Sequence, residues 1–477
     1  MINASARRVA CCMTGLLLSA CTTTSVTTSV AETPTRNVIL FLGDGMGVST
    51  VTAARIYAGQ LQGFSGEEHV LAFETFPHLA LVKTYNTDSQ VADSAGTMSA
   101  IMTGEKTRIG YISVGPAAAR DDCEQARANE LTTLLEEAER AGYATGIVST
   151  ARITHATPAA TYAHVPNRDW ETDEQLPAAA HAAGCTDIAR QLVEFEPGDG
   201  IEVILGGGRA QFMPTETADP EYPELQGERT DGANLIDRWL GGDSGREYVW
   251  NAQQLAALEQ HPSGQVLGLF EPSHMQFEAD RAEDSGGEPS LAEMTRFAIK
   301  RLAANGRGYF LMVEGGRIDH AHHAGNAYRA LDDTLALSDA VATALEITDP
   351  AETLIVVTAD HSHTLTISGY PKRGNPILGK VVNVLGEAAE DDNGRPYTTL
   401  GYANGPGFLE ELADLSDVNT EDRDYLQVAS FPAWAETHGG EDVAAYAFGP
   451  NAEALGGVIE QDELYQIMRT ALLGSEN

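Results

Sequence analysis

The chain has 477 residues, room for a large core and up to about three domains. Its 69 acidic residues outweigh 30 basic ones, giving a net charge of −39; that balance argues against nucleic acid and anionic lipid as partners, since both reward clustered Lys and Arg. The same charge fits a saline habitat, where a carboxylate surface is screened and stays soluble, and it fits simple solubility equally well.

In chain order, the first element is a targeting segment. Arg7 and Arg8 precede the apolar run VACCMTGLLLSA, too short to span a bilayer but suited to a secretory signal. Leu18, Ser19, Ala20 and Cys21 resemble a bacterial lipobox, in which the Cys receives lipid. Residues 1–20 then read as a lipoprotein signal peptide, with ordinary signal-peptidase cleavage nearby as the alternative. Residues 21–36 are a Thr- and Ser-rich linker with little to bury. The chain is therefore expected to be exported to the periplasm or cell envelope, touching membrane only through an anchor at Cys21. Cys11 and Cys12 leave with the signal, so Cys123 and Cys185 remain as an even pair. In an oxidising compartment a disulfide is the natural reading, against two free thiols.

From Asn37 onward, apolar strands alternate with amphipathic helices. NVILFLG, ATGIVST, IEVILGG, GYFLMVEG and ETLIVVTA are short buried strands; LTTLLEEAERAG and AYRALDDTLALSDAVATALE are helical. This alternation predicts an α/β fold, a three-layer α/β/α sandwich around a mostly parallel sheet. The core is expected over 37–370 and again over 431–477. Between them, 371–430 is Gly- and Asn-rich with weak periodicity and reads as a small inserted subdomain. Sheets of this kind place ligands beyond the carboxyl ends of their strands. Asp44, Glu314, Asp360 and His361 all fall at such ends.

Ser94 lies where a helix begins, a position that favours an anionic group. The alternative is a helix cap made by Asp93 or Ser94. No Gly-x-Ser-x-Gly elbow is present, so a metal is the other route to an activated hydroxyl. In VEGGRIDHAHH, Asp319 and His323 are four apart and share a helical face. With Asp360, His361 and His438 they form a carboxylate and imidazole set that zinc accepts. Asp44, Thr157 and Glu314 offer oxygen, which suits magnesium. A solvated acidic surface would explain any one of these carboxylates, but not the clustering of scarce His at strand ends. Arg168 is either a phosphate clamp or a surface ion pair.

Taken together, FLGDGMG, DSAGT, THATPAATYAHVPNRDW, VILGGGR, VEGGRIDHAHH, TADHSH and THGGEDVA occur in this order and resemble the alkaline phosphatase family, in its vertebrate-like branch with two zinc ions and one magnesium. The resemblance implies hydrolysis of phosphate monoesters through a phosphoserine on Ser94, in the service of phosphate scavenging. It implies Asp319, His323 and His438 around one Zn2+ and Asp44, Asp360 and His361 around the other. Asp44, Thr157 and Glu314 would hold Mg2+, and Arg168 would clamp the phosphate. His155 and His320 match the His pair of that branch and would act through water. The Cys123–Cys185 disulfide also resembles it. Glu221, Phe270, Glu271 and Glu288 resemble its additional Ca2+ site, although the last is Glu where Asp is usual and the preceding segment is longer. Residues 371–430 would be the crown subdomain at a homodimer interface, and His322 is left to structure.

Two other readings compete. A sulfatase of the same superfamily needs a Cys or Ser followed by Pro and Arg, which DSAGT lacks, and a phosphodiesterase commonly uses Thr without the magnesium triad. A lipid-anchored metal- or phosphate-binding protein without turnover is a different class, and the intact nucleophile argues against it.

Overall fold

The computed structural model describes residues 36–475, apart from 243–244, 261–262 and 411–413. The signal segment, the lipidation expected at Cys21 and most of the linker lie outside the described residues. Eight strands come first: β1 (Asn37–Gly43), β2 (His78–Lys83), β3 (Ala144–Arg152), β4 (Val203–Gly207), β5 (Glu247–Val249), β6 (Val266–Leu269), β7 (Tyr309–Gly315) and β8 (Thr353–Ala359). Then follow β9 (Ser362–His363), β10 (Leu365–Ile367), β11 (Leu400–Gly405), β12 (Ala429–Pro432), β13 (His438–Gly439), β14 (Val443–Phe448) and β15 (Gly457–Glu460).

Among the described residues, ten of these strands form one sheet in the order β15-β2-β14-β8-β1-β7-β3-β4-β6-β5. All neighbours run parallel except β14, which is antiparallel to both β2 and β8. The central strands are buried on both faces, as their unbroken Val, Ile, Leu and Phe runs require. Helices pack around the sheet, among them Val48–Leu61, Leu291–Ala303, Ala327–Ile347 and Glu463–Leu473. The Leu291–Ala303 helix begins with a reciprocal cap between Ser290 and Glu293, which satisfies two amide donors at its start.

Strand register decides where the chemistry sits. Gly43 lies opposite both Gly315 and Ala359, so β1, β7 and β8 end abreast. Asp44 and Asp360 come directly after their strands, and Glu314 is the last residue but one of β7. Gly45 follows with φ +65°, and a Cβ there would lie 2.3 Å from the His363 ring. Only glycine lets this loop cross His363.

The inserted region builds a second sheet, β10-β11-β12, with β10 antiparallel to β11 and β12 parallel to it. Its sheet therefore begins at Leu365, a few residues before the expected start of the insertion, and closes at Pro432. Ile377, Leu378, Leu400 and Tyr402 join the main hydrophobic cluster, and the Gln60 side chain bonds Asn375 and Ile377 backbone. The insertion thus shares the core rather than folding apart. Cys123 and Cys185 are joined as a disulfide across 62 positions. Among the described residues, no helix is long and apolar enough to cross a membrane.

Candidate active site

The helix Ser94–Thr103 settles which residue caps it. Asp93 accepts from the Gly96 amide at 3.1 Å, which leaves the Ser94 hydroxyl free of capping duty. That hydroxyl faces His361 Nε2 at 3.1 Å and Asp44 Oδ1 at 3.4 Å. The second oxygen of Asp93 accepts from Gly110 N at 3.0 Å and from Arg168 Nη1 at 3.1 Å. One buried carboxylate therefore fixes the helix start and the guanidinium beside it.

Around Ser94 two donor groups converge. His361 Nε2 lies 3.4 Å from Asp44 and 3.3 Å from Asp360, whose other oxygen accepts from Gly45 N at 3.1 Å. Asp319 Oδ1 lies 3.3 Å from His323 Nε2 and 3.4 Å from His438 Nε2. The i, i+4 pair sits on the helix Arg317–His323, as its spacing predicts. His438 arrives from far along the chain because β13 pairs antiparallel with β9, setting His438 opposite His363. Its ring stacks on His361, with centroids 3.6 Å apart.

A third group forms behind the first two. Thr157 donates to Asp44 Oδ2 at 3.4 Å, and Ser149 donates to Glu314. His155 reaches the same carboxylates and also meets Arg168 Nη2 at 3.1 Å. His320 packs against His155 and His274, with ring centroids 5.2 and 4.0 Å away.

These donors fit cations. His323 Nδ1 donates to the Glu436 carbonyl and His438 Nδ1 to the Ala92 carbonyl, so each ring turns an Nε2 lone pair inward. Those two nitrogens face each other at 3.1 Å beside a carboxylate. Two lone pairs so placed repel unless a cation lies between them. Asp44, Asp360 and Glu314 are wholly buried together, and Glu314 Oε1 has no protein partner. Burial, then Asp360 and other carboxylates, pushes Asp44 well up; burial pushes Glu314 up to about 7. Against the opposing effect of burial, His323 and His363 hold Asp319 well down. Burial lowers His361, His155 and His320, which keeps these imidazoles neutral with a lone pair available, His361 among the proposed metal ligands.

Several participants were not singled out from sequence. His363 Nε2 lies 2.8 Å from Asp319 Oδ1 while its Nδ1 meets Glu436. Burial opposes its charge, but the two carboxylates raise it to about 9. The TADHSH motif held the signal, since His363 follows His361 by two positions at the entry to β9 and their rings lie 5.7 Å apart. Thr97 donates to Asp360 at 3.3 Å, one helical turn after Ser94. His322, expected to be structural, is buried between Thr50 (3.0 Å) and the Tyr402 hydroxyl (2.7 Å).

At the expected calcium site, Glu221 and Glu271 come together with Asp284, a carboxylate not singled out from sequence. The Tyr222 hydroxyl lies 3.2 Å from both Glu271 and Asp284. Glu288 accepts from Gln276 N at 2.8 Å through one oxygen, its other oxygen has no protein partner, and burial, then Glu271, pushes it up to about 9. The longer segment turns at Arg281–Glu283 and carries Asp284 inward. Phe270 is buried, and its amide donates to Gly206 O at 2.8 Å.

Comparisons with known proteins extend these observations. The family model for alkaline phosphatase matches residues 35–473. The tissue-nonspecific alkaline phosphatase isozyme of Gallus gallus is 48% identical over 445 residues, covering 91% of this chain and 84% of that protein. The alkaline phosphatase of Gadus morhua is 45% identical over 450 residues, covering 93% and 92%. Among solved structures, the alkaline phosphatase of Thermus thermophilus matches with a TM-score of 0.67 at 25% identity, over 94% of this chain and 93% of that one. The enzyme of the Antarctic bacterium TAB5 shares the fold, with a TM-score of 0.63 at 21% identity over 93% and 100%.

Proposed function

The chain belongs to the alkaline phosphatase family and hydrolyses phosphate monoesters, and from that premise we propose that it does so through a phosphoserine formed on Ser94. The observation that carries this reading is the placement of an uncapped Ser94 hydroxyl against Asp44 and His361, on whose ring His438 of the other donor group stacks, with a guanidinium held by the neighbouring Asp93.

We assign Asp319, His323 and His438 to one zinc and Asp44, Asp360 and His361 to the other. Asp44, Thr157 and Glu314 suit magnesium, with His155 close enough to adjust its surroundings. When bound, these ions supply Lewis acidity that makes the Ser94 hydroxyl and a water nucleophilic near neutral pH and offsets charge on the phosphoryl oxygens. The chain's own part is positional. Ser94 Oγ forms the bond to phosphorus while the ester oxygen leaves as alcohol. Arg168 donates to the phosphoryl oxygens, and the helix N-terminus adds its positive end. Water then cleaves the Ser94–phosphate bond, releasing inorganic phosphate and restoring the hydroxyl. Glu221, Glu271 and Asp284 suit a calcium ion, which prefers several oxygens.

A lipid-anchored, exported homodimer that scavenges phosphate is part of the same proposal. The lipobox-like LSAC and the Cys123–Cys185 disulfide support export. The test compares p-nitrophenyl phosphate with the corresponding diester and sulfate, with zinc and magnesium and then with chelator. Turnover of the monoester alone, lost on chelation, is expected. Preferential release from the sulfate or the diester would overturn the reading.

A further inference from the structure

The cleft that opens onto the active-site residues Asp93, His323 and His438 has a volume of about 690 Å³, far more than a phosphate needs, which leaves room for the rest of the substrate. Its floor includes His323, His438 and Asp93. The outer wall is Val91, Ile109, Phe277 and Trp434. Trp434 lies in the loop between β12 and β13 and is 97% exposed, while Val91 and Ile109 are each 38% exposed. Phe277 is held from one side by the Arg317 guanidinium, 3.7 Å from its ring centre.

Charge sharpens the contrast. The chain carries 69 acidic residues, yet the cleft is lined by only Asp93 and Glu436 among them. Both are already engaged, Asp93 by Arg168 and Glu436 by His363 and Thr364. The mouth therefore offers aromatic and aliphatic surface where most of this molecule offers carboxylate. Leaving an indole in water forgoes about 2 kcal/mol or more of burial. A surface apolar group beside a catalytic centre is where a ligand would recover it.

We propose that Trp434 is a specificity-determining residue that stacks on aromatic leaving groups, so that aryl phosphate monoesters are the preferred substrate class. The proposal rests on the phosphomonoesterase reading of Ser94. The leaving group, rather than a second protein, is the occupant because the apolar wall lines the same cleft as Asp93, His323 and His438 of the active site. Trp434 touches the part of the substrate that departs, and its contact exists in ground and transition states alike. Its loss should therefore raise KM and leave kcat unchanged.

The experiment measures kcat and KM of metal-loaded wild type, Trp434→Ala and Trp434→Tyr on 1-naphthyl phosphate and on glycerol 2-phosphate. For Trp434→Ala, a rise of about threefold to tenfold in KM for the naphthyl ester is expected, with glycerol phosphate within about twofold of wild type. Trp434→Tyr should restore most of the aryl preference, because its ring also stacks. Titration with benzylphosphonate should perturb indole emission in wild type and not in Trp434→Tyr, since Trp170 and Trp239 are buried and the half-buried Trp250 packs against Arg209, away from the cleft lining. Equal losses on both esters, or none on either, would overturn the proposal. So would a change of solution mass in Trp434→Ala, which would make this face a contact between copies. Failure of wild type to cleave glycerol phosphate at all would instead sink the phosphatase reading itself.

Discussion

Glu139 gives the fold a built-in sensitivity to alkaline pH. It lies at the end of the helix Leu134–Arg140, 1% exposed, and accepts from the Thr145 hydroxyl. Burial first, and then Glu202, pushes its carboxyl up to about 8 from an ordinary 4.5. Between those values the folded chain holds a proton that the unfolded chain has lost. The unfolded state then binds fewer protons, so stability falls as pH rises through this window. The full contribution is present below pH 4.5 and gone above about 8. A rise of that size corresponds to a ceiling of about 5 kcal/mol, and local relaxation should leave a few kcal/mol. Glu139→Gln keeps an acceptor for Thr145 and cannot ionise. It should raise Tm by about 2–6 °C at pH 9.5 and change little at pH 5. Scanning calorimetry of both proteins across pH measures this. A difference in Tm independent of pH would refute the reasoning, because the effect would then be packing and not protonation.

Ser94→Ala should abolish the burst of alcohol product while zinc content, by elemental analysis, stays near wild type; loss of zinc would make Ser94 mainly structural. His363→Ala or Glu436→Gln should weaken zinc retention against a chelator by about 10–100-fold, since both orient Asp319. Chelation in weak buffer near pH 7, corrected for the protons the same chelator releases on binding free metal, should take up protons, because burial pushes Glu314 up to about 7 once its cation leaves; absence of that uptake would contradict its raised affinity. Replacing Cys123 and Cys185 together by Ser should cost about 4 kcal/mol in denaturant unfolding, from the 62-residue loop they close.

The strands and their ends were legible because both-face burial writes unbroken apolar runs, and because the first polar residue after such a run marks the carboxyl edge. Asp44, Glu314 and Asp360 follow directly from that rule. Asp319 and His323 were legible from helical spacing alone. Other features depend on long-range pairing that no local pattern encodes. His438 and Glu436 reach Asp319 and His363 only because β13 lies against β9. Asp284 was hidden for another reason. The family resemblance points to Glu288, and the extra length of the loop, visible in sequence, does not say that Asp284 also comes in beside Glu221 and Glu271. At the helix start, two caps were open, Asp93 and Ser94, and only the hydrogen bond to Gly96 separates them.

That last distinction bears on the chemistry. A capping serine would be tied to a backbone amide, whereas here Asp93 takes that bond and also holds Arg168. The cap alone is worth about 1 kcal/mol. Breaking a fully buried ion pair by removing one partner costs about 3–5 kcal/mol because a charge is left behind, and the Arg168 side chain, 23% exposed, brings its pair with Asp93 below that. Asp93 thus serves both the cap and the guanidinium. Arg168 Nη1 is committed to Asp93 and Nη2 meets His155 Nε2 at 3.1 Å. A phosphoryl group entering the cleft must take its hydrogen bonds from the edge that His155 now shares, while Asp93 retains the other. The anion-binding geometry is thus fixed before substrate arrives, and the same carboxylate that sets it also fixes the first turn on which Ser94 stands.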